Sequence, residues 1–395
     1  MNLILVADSF RPSNSSAAVQ LNDLSDELVK KGHDVNVITF TDNKEHIRNS
    51  IFKENGMTII RIYRPSIKNK NYFKRAIIEF ISPYKIIKFL KKSDNYFTRI
   101  DGIIWYSPSI FFGVLIRYLK KKFKCPSYLI LRDHFPDWAV DLGLMSKGPH
   151  YWFFKAIESY QFYVADVIGV QSEGNISHVK FWEKNNLRKV EVLNNWISDE
   201  KNIGCSIDIN KTKLSGRKIF LYAGNMGVAQ NPEVLVEIAK KFKNNKNLGF
   251  LFVGRGEYAK RIRNDIKKYK LDNCETFSEI KYDEIPGLYS QCHVGMLSLN
   301  FSHKSHNIPG KFISYISSGL PVLAIVNKNN DLIKIINENN IGQVITEKNI
   351  HDSKKLVQNF INNIDRNMSD RCKKLKDAQF SSNSASEHIL KALSP

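Results

Sequence analysis

The chain has 395 residues, 43% hydrophobic, 25% charged and 11% aromatic, room for two or three cores at about 150 residues per domain. That balance excludes disordered, collagen-like and coiled-coil chains, and no apolar run reaches the ~18 residues of a membrane-spanning helix. Lysine and arginine total 59 against 39 acidic residues, a formal +20, which favours anionic partners such as nucleic acid, anionic lipid or phosphorylated small molecules, unless it is simply the solvated surface of a Lys-rich chain.

Leu3–Ala7 is a short apolar run, Asp8–Ser16 a polar loop, and Ala17, Leu21, Leu24 and Leu28 recur at helical spacing before Gly32 and the run Val35–Thr39. That order predicts a βαβ unit whose functional loop follows its first strand. Further strands are expected at 58–62, 102–106, 128–131, 167–170 and 190–193, mostly separated by helix-length stretches. From 197 to 216 the sequence turns polar and aperiodic, as a linker does. The pattern then restarts, with strands at 219–223, 248–253, 275–277, 294–299 and 321–326, helices at 232–242, 258–269, 285–290 and 311–318, and a largely helical tail from 356 to 393. The expected division is a first domain at 1–197, a linker at 198–216, a second domain at 217–378 and a C-terminal helix at 379–395 that could pack back on the first domain.

The N-terminus lacks the basic region and the ~7 to 15 residue apolar stretch of a secretory signal. Five scattered cysteines show no CxxC or Cys/His ligand spacing and read as buried small hydrophobes in a reducing cytosol. No metal and no cofactor are expected.

Three glycine turns could carry chemistry. Asn307-Ile308-Pro309-Gly310-Lys311 opens a helix ended by Gly319; free amides at such a start, with Lys311 on the first turn, suit an anion, although a capped helix with an exposed lysine would read alike. Ala223-Gly224-Asn225-Met226-Gly227 and Val253-Gly254-Arg255-Gly256 each follow a strand. Neither is GxGxxG or a Walker loop; together with Lys311 they suggest a diphosphate cradle, and unrelated tight turns are the alternative. In the first half, Arg132-Asp133-His134-Phe135-Pro136 closes a strand with an acid and a base, either catalytic groups or a hydrogen-bonded pair anchoring the loop.

These residues, with Asp8-Ser9-Phe10-Arg11-Pro12, Lys31-Gly32-His33-Asp34-Val35, Leu193-Asn194-Asn195-Trp196 and Gly319-Leu320-Pro321-Val322, resemble the GT-B fold glycosyltransferases of family 4 over nearly the whole chain. The resemblance is closest to the bacterial O-antigen and capsule branch that adds N-acetylated deoxyhexosamines such as N-acetylfucosamine. It implies an α/β fold of two Rossmann-like doubly wound domains facing a central cleft. It further implies a retaining, metal-independent transfer from a UDP-sugar to a polyprenyl-diphosphate-linked saccharide.

On that reading Gly224, Asn225, Gly227, Arg255, His306, Asn307, Gly310, Lys311 and Ser314 bind the donor. Arg11, Ser15, Ser16 and Arg132 lie on the acceptor side, and Asp133, His134 and Lys311 are catalytic. Two departures stand out: the family's paired glutamates would fall on His306 and Ser314, and the Arg and Lys that usually follow the first glycine turn of the second domain are replaced around Asn225 and Gln230. Diphosphate neutralisation then rests on Arg255 and Lys311.

A sugar-nucleotide epimerase of the same fold, or a non-enzymatic nucleic-acid or lipid-surface binder, are the rival readings; no RNP, KH or helix-turn-helix signature occurs, and no nucleic-acid partner is expected. Residues 68–92 alternate Lys68, Lys70, Lys74, Arg75, Lys85, Lys88, Lys91 and Lys92 with large apolar residues. This suits an interfacial helix, broken once at Pro83, on an anionic membrane surface, and places a cytoplasmic enzyme peripherally on the inner face of the membrane. Lysines of an ordinary covering helix are the alternative.

Overall fold

The computed structural model describes residues 1–13, 15–43, 50–67, 72–92, 96–97, 99–107, 109–141, 143–185, 187–199, 202–302 and 308–394. The chain divides into two compact units, Met1–Asn194 with Ser382–Pro395, and Asn195–Ser381.

The first unit runs β1 (Asn2–Val6), α1 (Ser16–Lys30), β2 (Asp34–Thr41), β3 (Ser50–Glu54), β4 (Met57–Tyr63), α2 (Tyr72–Lys92), β5 (Gly102–Tyr106), α3 (Gly113–Phe123), β6 (Ser127–Leu131), α4 (Asp137–Asp141), α5 (Pro149–Val164), β7 (Val167–Val170), α6 (Ile176–Lys184) and β8 (Lys189–Val192). Its sheet has the order β3-β4-β2-β1-β5-β6-β7-β8. Every neighbour pair is parallel except β3 on β4. Every residue of β5 and β6 is buried, as parallel strands covered on both faces require. The sequence reading omits β3. Its signal is Asn55-Gly56, both at positive φ, the two-residue turn that returns one strand antiparallel on the next.

The second unit runs β9 (Lys218–Ala223), α7 (Glu233–Lys241), β10 (Leu248–Val253), α8 (Ala259–Lys268), β11 (Cys274–Phe277), α9 (Ile285–Tyr289), β12 (Val294–Ser298), α10 (Gly310–Ser317), β13 (Val322–Ile325), α11 (Leu332–Glu338), β14 (Gly342–Ile345), α12 (Ser353–Asn363) and α13 (Met368–Gln379). Its sheet is wholly parallel in the order β11-β10-β9-β12-β13-β14, the doubly wound order whose reversal between β9 and β12 opens a crevice for ligands. Apolar clusters fill both of its faces.

The last helix, α14 (Ser382–Leu393), belongs to the first unit. Its buried residues include Ala385, Ile389 and Leu393, and Glu387 pairs with Lys31, the residue just after α1, at 3.1 Å.

Two expectations need correction. The stretch 198–216 is polar in composition, yet Ile207, Ile209 and Leu214 within it are buried in the core of the second unit. Three well-spaced apolar side chains suffice to anchor a polar segment. Helix α2 continues through Pro83; Ser82 Oγ donates to the Ile78 carbonyl, and Ile86 and Leu90 beyond the proline are buried in the core. Lys68 and Lys70 lie outside the described residues. Of the cysteines, Cys125, Cys274 and Cys372 are buried, whereas Cys205 and Cys292 are partly exposed. No helix among the described residues is long and apolar enough to cross a membrane.

Candidate active site

At the crevice of the second unit, the turns after β9 and β10 are zipped together by their backbones. Gly224 donates to the Val253 carbonyl at 2.9 Å, Met226 to that of Arg255 at 2.7 Å, and Tyr258 to that of Met226 at 2.9 Å. Glycine is needed at Gly254: its φ is +150° and an added Cβ would lie 2.0 Å from the Gly224 carbonyl oxygen. The apposition leaves the Gly224 turn exposed and fixed in shape.

Helix α10 is fastened to the same place by Tyr315. Its buried hydroxyl accepts from the Ala223 amide at 3.0 Å and lies within hydrogen-bond reach of the Leu221 and Met296 carbonyls. One turn earlier, Lys311 reaches over β9. Its Nζ is 3.6 Å from the centre of the Tyr222 ring, and a Cβ placed on Gly224 would lie 3.9 Å from it.

The Lys311 stem is partly exposed, while Nζ itself is sealed from solvent without a hydrogen-bond partner among the described residues. Burial pulls its pKa down to about 7. A lysine so placed gives up its proton readily and holds it firmly only beside an anion, because the ring face alone replaces little of its lost hydration. Gly310 and Ser314 stand on the same helix, Gly310 exposed and Ser314 partly so; His306 and Asn307 lie outside the described residues.

Asn225 and Gly227 converge on Gln230, whose Oε1 accepts from the Asn225 amide and from the Gly227 backbone N–H, both at 3.2 Å. Gln230 therefore closes the turn. Arg255 projects from the adjoining turn, exposed, and pairs with Glu279 at 3.1 Å. Its backbone belongs to the zipped turns while its charge is engaged on the surface.

In the first unit the expected acceptor-side residues fall at the carboxyl ends of β1 and β6, and several hold structure. Arg132 is half-buried and donates to the carbonyls of Leu193 and Asn194 at 2.6 and 3.1 Å, tying the end of β6 to the segment after β8. Arg11 pairs with Asp26 at 2.7 Å, and its carbonyl accepts from Arg61 at 2.6 Å. Ser15 caps α1, accepting from the Ala18 amide at 3.3 Å, and Ser16 is the first residue of that helix, exposed.

Asp133 and His134 differ in kind. Burial raises the Asp133 carboxyl against hydrogen bonds from Trp138 and the loop backbone. His134 is buried, stacked on His178 with ring centres 3.9 Å apart, and neither ring nitrogen has a partner among the described residues. Burial, followed by the neighbouring His178, pulls His134 down to about 3. At neutral pH it is an uncharged imidazole and a weak base, suited to accepting a hydrogen bond. Behind this pair Asp137 accepts from Tyr151 at 2.9 Å and Lys155 at 2.7 Å, and Lys155 also meets Glu158 at 2.6 Å.

Sequence reasoning missed Tyr222, Tyr315 and His178, which support Lys311 and His134, and the bidentate pair of Arg64 with Asp8. Tyr222 carries a readable signal, since it places one hydroxyl in an otherwise apolar run, and that hydroxyl must find a partner when buried.

Residues 206–378, nearly the whole second unit, match the family model described as "Glycosyl transferases group 1". That match covers the second unit and less than half of the chain. Among curated relatives, WbjE of Pseudomonas aeruginosa, named as a probable glycosyltransferase, is 25% identical over 226 residues, 54% of each chain. The chain thus spans about half the length of that relative. WcaI of Escherichia coli, whose name assigns it to colanic acid biosynthesis, is 23% identical over 321 residues, 74% of this chain and 76% of its own.

The fold is shared at full length with solved structures. Sucrose-phosphate synthase from Thermosynechococcus elongatus superposes with a TM-score of 0.71 at 13% identity, covering 99% of this chain and 98% of that one. HepE from Anabaena, in complex with UDP, gives 0.65 at 13% identity over 100% and 99%. The two parallel-sheet units are those of the GT-B fold.

Proposed function

We propose that this group 1 glycosyltransferase moves a sugar, an N-acetylated deoxyhexosamine, from a UDP-sugar to a polyprenyl-diphosphate-linked saccharide in O-antigen or capsule assembly. It does so with retention and without a metal, as a cytoplasmic enzyme lodged peripherally on the inner face of the membrane. The observation that carries the donor side is Lys311: a buried ammonium without a hydrogen-bond partner among the described residues, over Tyr222 and beside the exposed Gly224 turn. The complex of HepE with UDP supports the same donor class; the name of WcaI, which places it in colanic acid biosynthesis, supports polysaccharide assembly.

In this reading the bond from the anomeric carbon to the diphosphate breaks as negative charge grows on the departing oxygen. Lys311 and the amides opening α10 stabilise that charge where it develops. The acceptor hydroxyl attacks from the same face; its proton passes to the departing phosphate oxygen, with Asp133 and His134 orienting the hydroxyl. Arg255 adds a second positive charge once it exchanges Glu279 for phosphate.

A thermal-shift panel of UDP-, GDP- and dTDP-sugars tests the donor, since a ligand at 100 times its dissociation constant stabilises by about 2.7 kcal/mol. UDP-sugars should raise the melting temperature most, and a UDP-sugar incubated alone should keep its stereochemistry. Preference for GDP or dTDP, or epimerisation without acceptor, would overturn the reading.

A further inference from the structure

Helix α2 is apolar on two faces. Ile86 and Leu90 are buried in the core, as a covering helix demands. Ile77, Phe80, Ile81 and Tyr84, at spacings of three, four and seven, are each between 41% and 47% exposed, and these form a second stripe pointing away from that core. Helix α5 also exposes large apolar side chains: Trp152, Phe153 and Tyr163 are all more than half exposed. A patch this large on one surface marks an interaction site.

Between the two helices lies a groove of about 220 Å³. Its walls include Phe80, Tyr84, Phe111, Phe153, Ile157 and Tyr160. Phe80 of α2 and Phe153 of α5 bridge it, with ring centres 6.2 Å apart. From Phe153 an aromatic series continues through Phe154 at 5.4 Å to Phe135 at 5.1 Å and Trp138 at 6.1 Å. It therefore passes through Phe135, on the loop that carries Asp133 and His134, and ends on α4.

Three features select the occupant. The volume is below the ~300 Å³ of a pocket for a drug-sized molecule, which suits a narrow chain. The lining is aromatic and aliphatic, with only tyrosine hydroxyls as polar groups. The same helix carries six basic residues, Lys74, Arg75, Lys85, Lys88, Lys91 and Lys92, against the single acid Glu79, and all six are exposed. An apolar chain with an anionic head matches that surface. A second copy of this chain related by a two-fold axis would set those cations against themselves.

We propose that this groove holds the hydrocarbon tail of a prenyl-phosphate lipid, with the cations of α2 meeting its anionic head. The proposal rests on the lipid-linked acceptor read above and gives that acceptor a built site in the first unit.

Equilibrium dialysis of the full chain with radiolabelled geranylgeranyl phosphate, below its micellar concentration, tests it. Saturable binding at one site per chain is expected. Ala156→Trp and Val114→Phe, which fill the groove from α5 and α3, should each weaken binding at least tenfold while the protein still melts cooperatively. Lys85→Glu with Lys88→Glu should weaken it several-fold. Absence of saturable binding, or binding that both filled variants retain, would overturn the proposal. So would a dimer that they dissociate, which makes the patch a self-interface, or lipid binding that appears only with vesicles and never with the monomeric lipid, which makes it a bilayer surface. Transfer by the unmodified enzyme to a short-chain, water-soluble acceptor reads the glycosyltransferase function separately, so each idea can fail alone.

Discussion

The Lys311 ammonium rests 3.6 Å from the centre of the Tyr222 ring. It is held there from both directions, because Tyr315 of the same helix bonds the Ala223 amide that follows Tyr222. The position is prepared before any ligand arrives, which is how a site stabilises a developing charge without reorganising.

Removal of that cation should be costly. Lys311→Ala is expected to lower turnover by roughly a hundredfold or more, the usual effect of losing one donor to a developing oxyanion, and to weaken UDP binding in calorimetry. Near-normal values for both would remove the lysine from the donor site.

The same burial gives a signed pH effect. The folded, ligand-free protein holds Lys311 near 7, whereas the unfolded chain holds lysine near ~10.4. Between those values the unfolded state binds more protons, so stability from this residue rises with pH. A diphosphate beside Nζ reverses the preference. UDP binding near pH 8 should therefore take up a proton, measured by calorimetry in buffers of different ionisation enthalpy, and Lys311→Met should abolish the uptake.

Gly254→Ala tests the zipped turns. Its Cβ would strike the Gly224 carbonyl at 2.0 Å, at a φ few other residues adopt. Strain of this kind costs about 1 to 3 kcal/mol. The variant should melt several degrees lower and bind UDP poorly even below its transition.

Asp133→Asn and His134→Ala should each lower turnover while leaving UDP affinity unchanged, because both lie in the first unit. Working as a carboxylate, Asp133 should give an acidic limb in the rate profile at higher pH than an ordinary aspartate, and Asp133→Asn should lose that limb. Burial acts on His134 in the other direction and adds a stability effect. Its folded value near 3 lies below the ordinary imidazole range, so the fold loses stability as pH falls from about 6.5 toward 3, and His134→Ala should flatten that slope.

Excess EDTA should leave turnover unchanged in the metal-independent reading. Loss restored by Mg²⁺ or Mn²⁺ would refute it.

Much of this fold was legible because buried parallel strands announce themselves as short apolar runs, and the lysine at Lys311 because a loop with Asn, Pro and Gly precedes it. The strand at 50–54 escaped because an edge strand alternates weakly, and only the Asn55-Gly56 turn betrays it. The roles of Arg132 and Arg255 were not legible for a different reason. Whether an arginine meets a ligand, a carbonyl such as that of Leu193 or a carboxylate such as Glu279 is settled by partners 61 and 24 positions away in the chain, which local pattern cannot supply.

The packing of α14 on α1 bears on how the protein is made. Ile389 and Leu393 fill space in the first unit, and an added Cβ on Gly102, at the start of β5, would come within 3.0 Å of Leu393. During synthesis the N-terminal strands emerge long before that helix does, with all of Asn195–Ser381 translated in between. The first unit must wait on the ribosome with a seam of its hydrophobic surface uncovered, and closes after the second has already had the chance to fold.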